Sequence, residues 1–123
     1  MSNLVPVNVE TFYIAAQSDP VAERYVFAYT ITIRNGSDHA VKLLRRYWSI
    51  TDANGKHTEV RGDGVVGEQP ELAPGASYTY TRGAVLDTPV GTMQGHYDMQ
   101  NADGSEFAAP IPLFRLAVPH VLN

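Results

Sequence analysis

The chain has 123 residues and a mass of 13.5 kDa, a length that fits one domain. Hydrophobic residues make up 44% and charged residues 18%, which argues against general disorder; the absence of cysteine removes disulfide scaffolds, thiolate zinc sites, thiol catalysis and iron–sulfur ligation. Nine basic residues against thirteen acidic ones give a net charge of −4, so the broad positive footprint of a nucleic-acid binder is missing.

Met1–Pro6 carries no basic residue and no apolar run of signal-peptide length, and Ser2 stands where N-myristoylation requires glycine. No apolar run of about eighteen residues offers a membrane span, so the expectation is a cytoplasmic protein without membrane insertion. Val5–Ala15 is the first expected strand, followed by the breakers Ser18, Asp19 and Pro20. Tyr25–Arg34 is the clearest: Tyr25, Phe27, Tyr29, Ile31 and Ile33 alternate with Val26, Ala28, Thr30, Thr32 and Arg34, a period of two with one heavy apolar face. Asn35-Gly36-Ser37-Asp38 then forms a turn before Val41–Thr51, and Asp52-Ala53-Asn54-Gly55 a turn before Lys56–Val60. Pro74-Gly75 precedes Ser77–Arg82, where Tyr78 and Tyr80 face inward. Asp87–Gly91 precedes Thr92–Met99, where Met93, Gly95, Tyr97 and Met99 share one side. Asn101-Ala102-Asp103-Gly104 precedes Glu106–Leu116. No helical window of a dozen residues survives among these breakers.

About seven short strands joined by hairpin turns describe an all-β, two-sheet sandwich of immunoglobulin or fibronectin type III character, with a small barrel as the competing closure. Two strands complicate the pattern. In the third, Leu44, Trp48 and Ile50 share a face with Arg46, so either a bulge near Leu43-Leu44 breaks the parity or Arg46 lies along the Trp48 ring with its head paired or solvated. In the last, Pro110 and Pro112 cannot donate ladder hydrogen bonds, which places that stretch at a sheet edge or a bulge.

Arg61-Gly62-Asp63-Gly64-Val65-Val66-Gly67 contains G-x-G-x-x-G. In dinucleotide folds that motif joins a strand to a helix, whose amides and positive end meet the pyrophosphate. Here two prolines and a glycine follow within Glu68–Gly75, which excludes a useful helix. Asp63 and Glu68 are opposed mainly by Arg61, and one carboxylate about 7 Å from a phosphate charge costs roughly 0.6–2.4 kcal/mol before screening. The expected loop is therefore an irregular crossover between sheets, with Val65 and Val66 tucked against the sandwich edge. A backbone nest over Gly62–Gly67 that holds an anion without a helix stays open.

The four histidines, His39, His57, His96 and His120, form no ligand motif. His96 and Asp98 are the best pair, since alternate strand positions point the same way, but no third ligand can be named and no metal site is expected. Asp38-His39 reads as turn chemistry. Asp52 and Asn54 resemble the opening of a calcium loop, yet position twelve would fall on Asp63 and no glycine stands at position six. No serine occupies a nucleophile elbow and no carboxylate pair is identifiable, so no catalytic residue and no cofactor is expected.

Arg46–Gly55, Val60–Pro70, Leu72-Ala73-Pro74-Gly75, Thr88–Tyr97 and Ile111–Leu116 together closely resemble the ApaG family of bacterial proteins, in the family's order and over nearly the whole chain. The Gly64–Pro70 segment is the most specific piece. The resemblance implies one ApaG domain over residues 1–123 with a fibronectin type III-like sandwich. It implies association with cobalt resistance and magnesium efflux, and a gene often beside that of a diadenosine tetraphosphate hydrolase. Similar domains in eukaryotic F-box proteins and in a DNA polymerase delta-interacting protein imply a protein-interaction module. The family's glycine motif, on Gly62, Gly64 and Gly67, implies pyrophosphate binding. A sandwich without spans cannot itself be an efflux channel, so an ion phenotype must be indirect.

The leading expectation is thus a non-enzymatic module that binds another protein through loops and a sheet edge. Val65, Val66, Pro70 and Leu72 supply an apolar patch if exposed and a plug if buried. The alternative is a binder of pyrophosphate-containing small molecules at Arg61, Gly62, Gly64 and Gly67, with a divalent cation bridging; a hydrolase of such ligands is a third, weaker option. Edge strands offer a route to a homodimer.

Overall fold

Alternation of apolar and polar residues sorts the strands into two antiparallel sheets whose heavy faces meet. The computed structural model describes residues 4–120; Met1–Asn3 and the last three residues of the expected 1–123 domain lie outside them. In chain order the strands are β1 (Val7–Tyr13), β2 (Tyr25–Arg34), β3 (Val41–Asp52), β4 (His57–Asp63), β5 (Glu71–Leu72), β6 (Ser77–Leu86), β7 (Val90–Asn101) and β8 (Glu106–Ala117). One sheet runs β1-β2-β6 and the other β4-β3-β7-β8, with β5 attached to β3. This is the two-sheet β-sandwich the strand pattern predicts. Among the described residues helix is limited to two three-residue 3₁₀ turns, Ala15–Gln17 and Pro20–Ala22.

All seven expected strands form, several with longer ends. β5 is an eighth that was not anticipated: Glu71 and Leu72 pair with Lys42 and Val41. The buried Asn35 side chain donates to the Leu72 carbonyl at 2.9 Å and the His39 carbonyl at 2.8 Å, fixing β5 beside the turn before β3.

Phe27, Tyr29, Ile31 and Ile33 of β2 meet Met93, Tyr97 and Met99 of β7 in the core. Trp48 joins them, its ring edge-on to Tyr29 at 5.4 Å and to Phe114 at 5.8 Å. The bulge is the explanation of the broken β3 parity that holds. The β3–β7 register slips between Leu43 and Arg45, so Leu44 is a bulge. Val41 and Leu43 face the core before it, and Trp48 faces the core after it with Arg46 at the same parity. In β8, an edge strand, the register slips opposite Met93/Gly95, which puts the extra residue between Ile111 and Phe114. Pro110 and Pro112 therefore sit where missing donors cost least.

Candidate functional site

The loop after β4 is more regular than the crossover expected for it. β4 extends through Arg61 and Gly62 to Asp63, so Gly62 is a strand residue paired with Arg46. A Cβ there would lie 2.7 Å from both terminal nitrogens of the Arg46 guanidinium, which packs on the bare glycine. Arg46 Nη1 donates to the carbonyls of Asp63 at 3.0 Å and Gly64 at 3.1 Å. Gly64 has φ +61° and its N–H donates to the Leu44 carbonyl at 2.8 Å. The same carbonyl accepts from Gln69 Nε2 at 2.9 Å, and Leu43 N–H donates to the Pro70 carbonyl at 2.9 Å. The bulge in β3 and the loop after β4 thus hold each other.

Val65 and Glu68 exchange both backbone hydrogen bonds, at 2.8 and 2.9 Å, around Val66 and Gly67. These two central residues have φ of 49° and 76°, the double left-handed pattern of a type I′ turn. Glycine suits that position; valine, being β-branched, is strained in it. The turn drives Val65 into the core at 0% exposure and leaves Val66 outside at 46%. Val66 is thus not tucked against the sandwich as expected, because the turn reverses the chain between the two valines.

Of the four residues proposed as an apolar patch, Val65 and Leu72 are buried and act as the plug. Pro70 is half-buried, and Val66 alone of the four is an exposed large hydrophobic. Of the four proposed to hold pyrophosphate, Arg61 and Gly62 border one shallow depression of about 370 Å³ with Arg45, Arg46, Tyr47, Asp63, His96 and Asp98; Gly64 and Gly67 do not line it. The amides of Gly64, Val65 and Glu68 are directed to protein carbonyls. Arg61 lies over the Tyr47 ring at 4.5 Å, and Tyr47 stacks beside His96 at 5.1 Å. This cation–π pair lies on the outer face of the sheet, at the parity opposite to Trp48. Arg45 is held there by Asp98 at 3.0 Å and by Glu106. His96 Nε2 is 3.5 Å from Asp98, as their spacing suggested, and among the described residues no three His, Asp or Glu side chains converge on a metal position. Asp52 accepts from the amides of Asn54 and Lys56 in an Asx turn, the role its calcium-like pattern serves here.

A second opening is a cleft that the motifs did not announce. β1 and β8 pack together on one side of the sandwich. On the other, β4 and β6 are edge strands and leave a cleft of about 190 Å³ between them. Its apolar walls include Trp48, Val65, Leu86 and Met93, with Val66 and the 52%-exposed Val85 also lining it. Arg46 and Arg82 line it as well. Both occupy core-facing parity: Arg46 with Trp48 on β3, Arg82 with Tyr80 and Leu86 on β6. Tyr80 and Tyr97 hydrogen-bond to one another across the sheets. Burial pushes the Tyr80 hydroxyl up to about 12 and raises Tyr97 as well. Burial also raises Tyr29, against the opposing charges of Arg82 and Arg46. Arginine at inward parity in two strands was the sequence sign of this cleft, but it could not show that the two face each other.

An ApaG domain model matches residues 15–101. The chain belongs to the ApaG family. It is 58% identical to Protein ApaG of Sodalis glossinidius over 119 residues, covering 97% of this chain and 95% of that protein. An X-ray structure of a Northeast Structural Genomics Consortium target superposes with a TM-score of 0.92 at 53% identity, covering 98% of this chain and 91% of that one. A crystal structure described as an ApaA protein from Bordetella pertussis gives 0.93 at 46% identity, covering 95% of each chain. The names of these ApaG relatives specify no reaction. Among the described residues of this ApaG chain no helix is long and apolar enough to cross a membrane.

Proposed function

We propose that this ApaG-family protein is a non-enzymatic binding module that takes an extended segment of another protein into the cleft between β4 and β6. The observation that carries this reading is the cleft itself. It has an apolar floor and two valines exposed beside it, and it lies between two strands that, among the described residues, each lack a neighbour on one side. A free strand edge offers main-chain donors and acceptors to an added strand, and alternate side chains of that strand then enter the adjoining pocket. The strained turn has a use in this reading, since it anchors Val65 while presenting Val66. The link between the family and divalent cations then acts through the partner.

The test is selection of binders from a displayed random-peptide library, followed by amide-shift mapping by NMR. Enriched peptides should shift amides of β4 and β6 and lose binding to Val66→Asp and Val85→Asp variants. Binders that map elsewhere, or that ignore both substitutions, refute the reading. A second reading, a pyrophosphate-containing ligand near Arg61 and Gly62, draws support from the three arginines lining that depression. It predicts amide shifts at Arg61–Gly67 on titration with pyrophosphate, and no movement at millimolar ligand disposes of it.

A further inference from the structure

We infer that the segment received by this cleft carries a carboxylate two positions from the apolar side chain it buries. The inference rests on the cleft reading above and specifies the chemistry of its occupant. It starts from charge. Arg46 and Arg82 stand at core-facing positions of facing strands, yet among the described residues neither has a carboxylate partner. Arg46 spends Nη1 on two backbone carbonyls, which satisfies hydrogen bonds but leaves its charge unneutralised. Of the nine lysines and arginines, Arg45 pairs with Asp98 and Glu106 and Lys56 with Asp87 among the described residues, and of those without an acid Arg46 and Arg82 are the two that line this cleft. In a protein of net charge −4, two unpaired guanidiniums beside one apolar cleft are a local inversion of sign.

A third donor belongs to the same place. Tyr29 lies opposite Arg82 in the β2–β6 ladder and lines the cleft. Its hydroxyl has no hydrogen-bond partner among the described residues, whereas those of Tyr80 and Tyr97 bond to each other. No buried side-chain polar atom there lacks a partner, so the Tyr29 oxygen must open onto the cleft. Both arginine charges act on that oxygen, which places the three groups in one electrostatic neighbourhood. The site thus offers one hydroxyl and two guanidiniums with no opposing acid among the described residues: three donors arranged for an anion.

Size and setting select the anion's carrier. About 190 Å³ accommodates one apolar side chain with a carboxylate group at its rim, not a nucleotide. The free edge of β6 lies beside it and accepts an extended backbone. Along such a strand, residues i and i+2 point the same way, about 7 Å apart, so one fills the apolar floor while the other reaches the guanidiniums.

The experiment starts from the peptides enriched on the wild-type protein and compares each acidic binder with its Glu→Gln or Asp→Asn counterpart by fluorescence anisotropy. The expected sequences pair an apolar residue with Asp or Glu two positions away, and the amide counterpart should bind about tenfold or more weakly. Arg82→Gln should remove most of that discrimination. Tyr29→Phe should weaken the acidic peptide several-fold with no loss of thermal stability, since its hydroxyl bonds to none of the described residues. If acid and amide peptides bind equally at the cleft, the carboxylate inference is overturned and the cleft reading survives; if no peptide is enriched, both fall. An inward charge on an edge strand also discourages pairing between copies. Should Arg82→Gln dimerise on gel filtration while acid discrimination persists, Arg82 is an edge guard and its part in binding the carboxylate is refuted.

Discussion

Replacing Gly64 with alanine would place a Cβ 2.1 Å from the Glu68 carbonyl oxygen and 2.9 Å from its carbon, with φ at +61°. Backbone, unlike the end of a flexible side chain, cannot swing away, so the Val65–Glu68 pair must open. Three losses then coincide. The left-handed conformation costs an L-residue about 1–2 kcal/mol. Two backbone hydrogen bonds are worth about 0.5–1.5 kcal/mol each. Withdrawal of the fully buried Val65 forfeits part of the roughly 1.5–3 kcal/mol its burial supplies. The expected destabilisation is about 3–6 kcal/mol, a large share of the 5–15 kcal/mol typical of a domain. Gly67→Ala is the control: φ there is +76°, but nothing lies within 4 Å of the added carbon, so only the backbone term of about 1–2 kcal/mol applies. Urea unfolding followed by the fluorescence of Trp48, the chain's single tryptophan and a buried one, measures both. Equal losses for the two variants, within about 0.5 kcal/mol, would refute the claim that Gly64 is required by its contact with Glu68 rather than by φ alone.

Trp48→Ala should cost about 3–5 kcal/mol, because the ring is 3% exposed and packs on Tyr29 and Phe114; a loss below about 1 kcal/mol in the same urea assay would contradict its core placement. Tyr80→Phe should cost about 1–3 kcal/mol by leaving the Tyr97 hydroxyl buried without its partner, and adding Tyr97→Phe should cost less than the sum of the two single changes. Burial raises Tyr80 to about 12 and Tyr97 above its ordinary value, so folding favours their neutral forms. Their contribution to stability is complete below the unfolded value near pH 10 and falls as pH rises from there through the folded value. Phenolate absorbance followed against far-ultraviolet circular dichroism should show these two groups ionising only as the fold is lost; their ionisation in an intact fold near pH 10 would contradict that placement.

The sequence by itself determined the strands, because a period of two is a local property. Tyr25–Arg34 matches β2 residue for residue, and the bulge at Leu44 was visible as a break in parity. Local information also excluded a helix after Gly67, since Pro70 and Pro74 forbid one whatever surrounds them. β5 escaped notice because two residues carry no periodicity; Glu71 and Leu72 become a strand only because β3 and Asn35 stand beside them. The three glycines looked like one motif but answer to different neighbours: Gly62 to the Arg46 guanidinium, Gly64 to the Glu68 carbonyl, Gly67 to the sign of φ in a two-residue turn. What tertiary structure alone decided is the cleft. Parity puts Arg46 and Arg82 on inward faces, but they stand 36 positions apart in the chain. Only the packing of two sheets, closed along β1 and β8 and open along β4 and β6, brings both to the wall of one apolar opening.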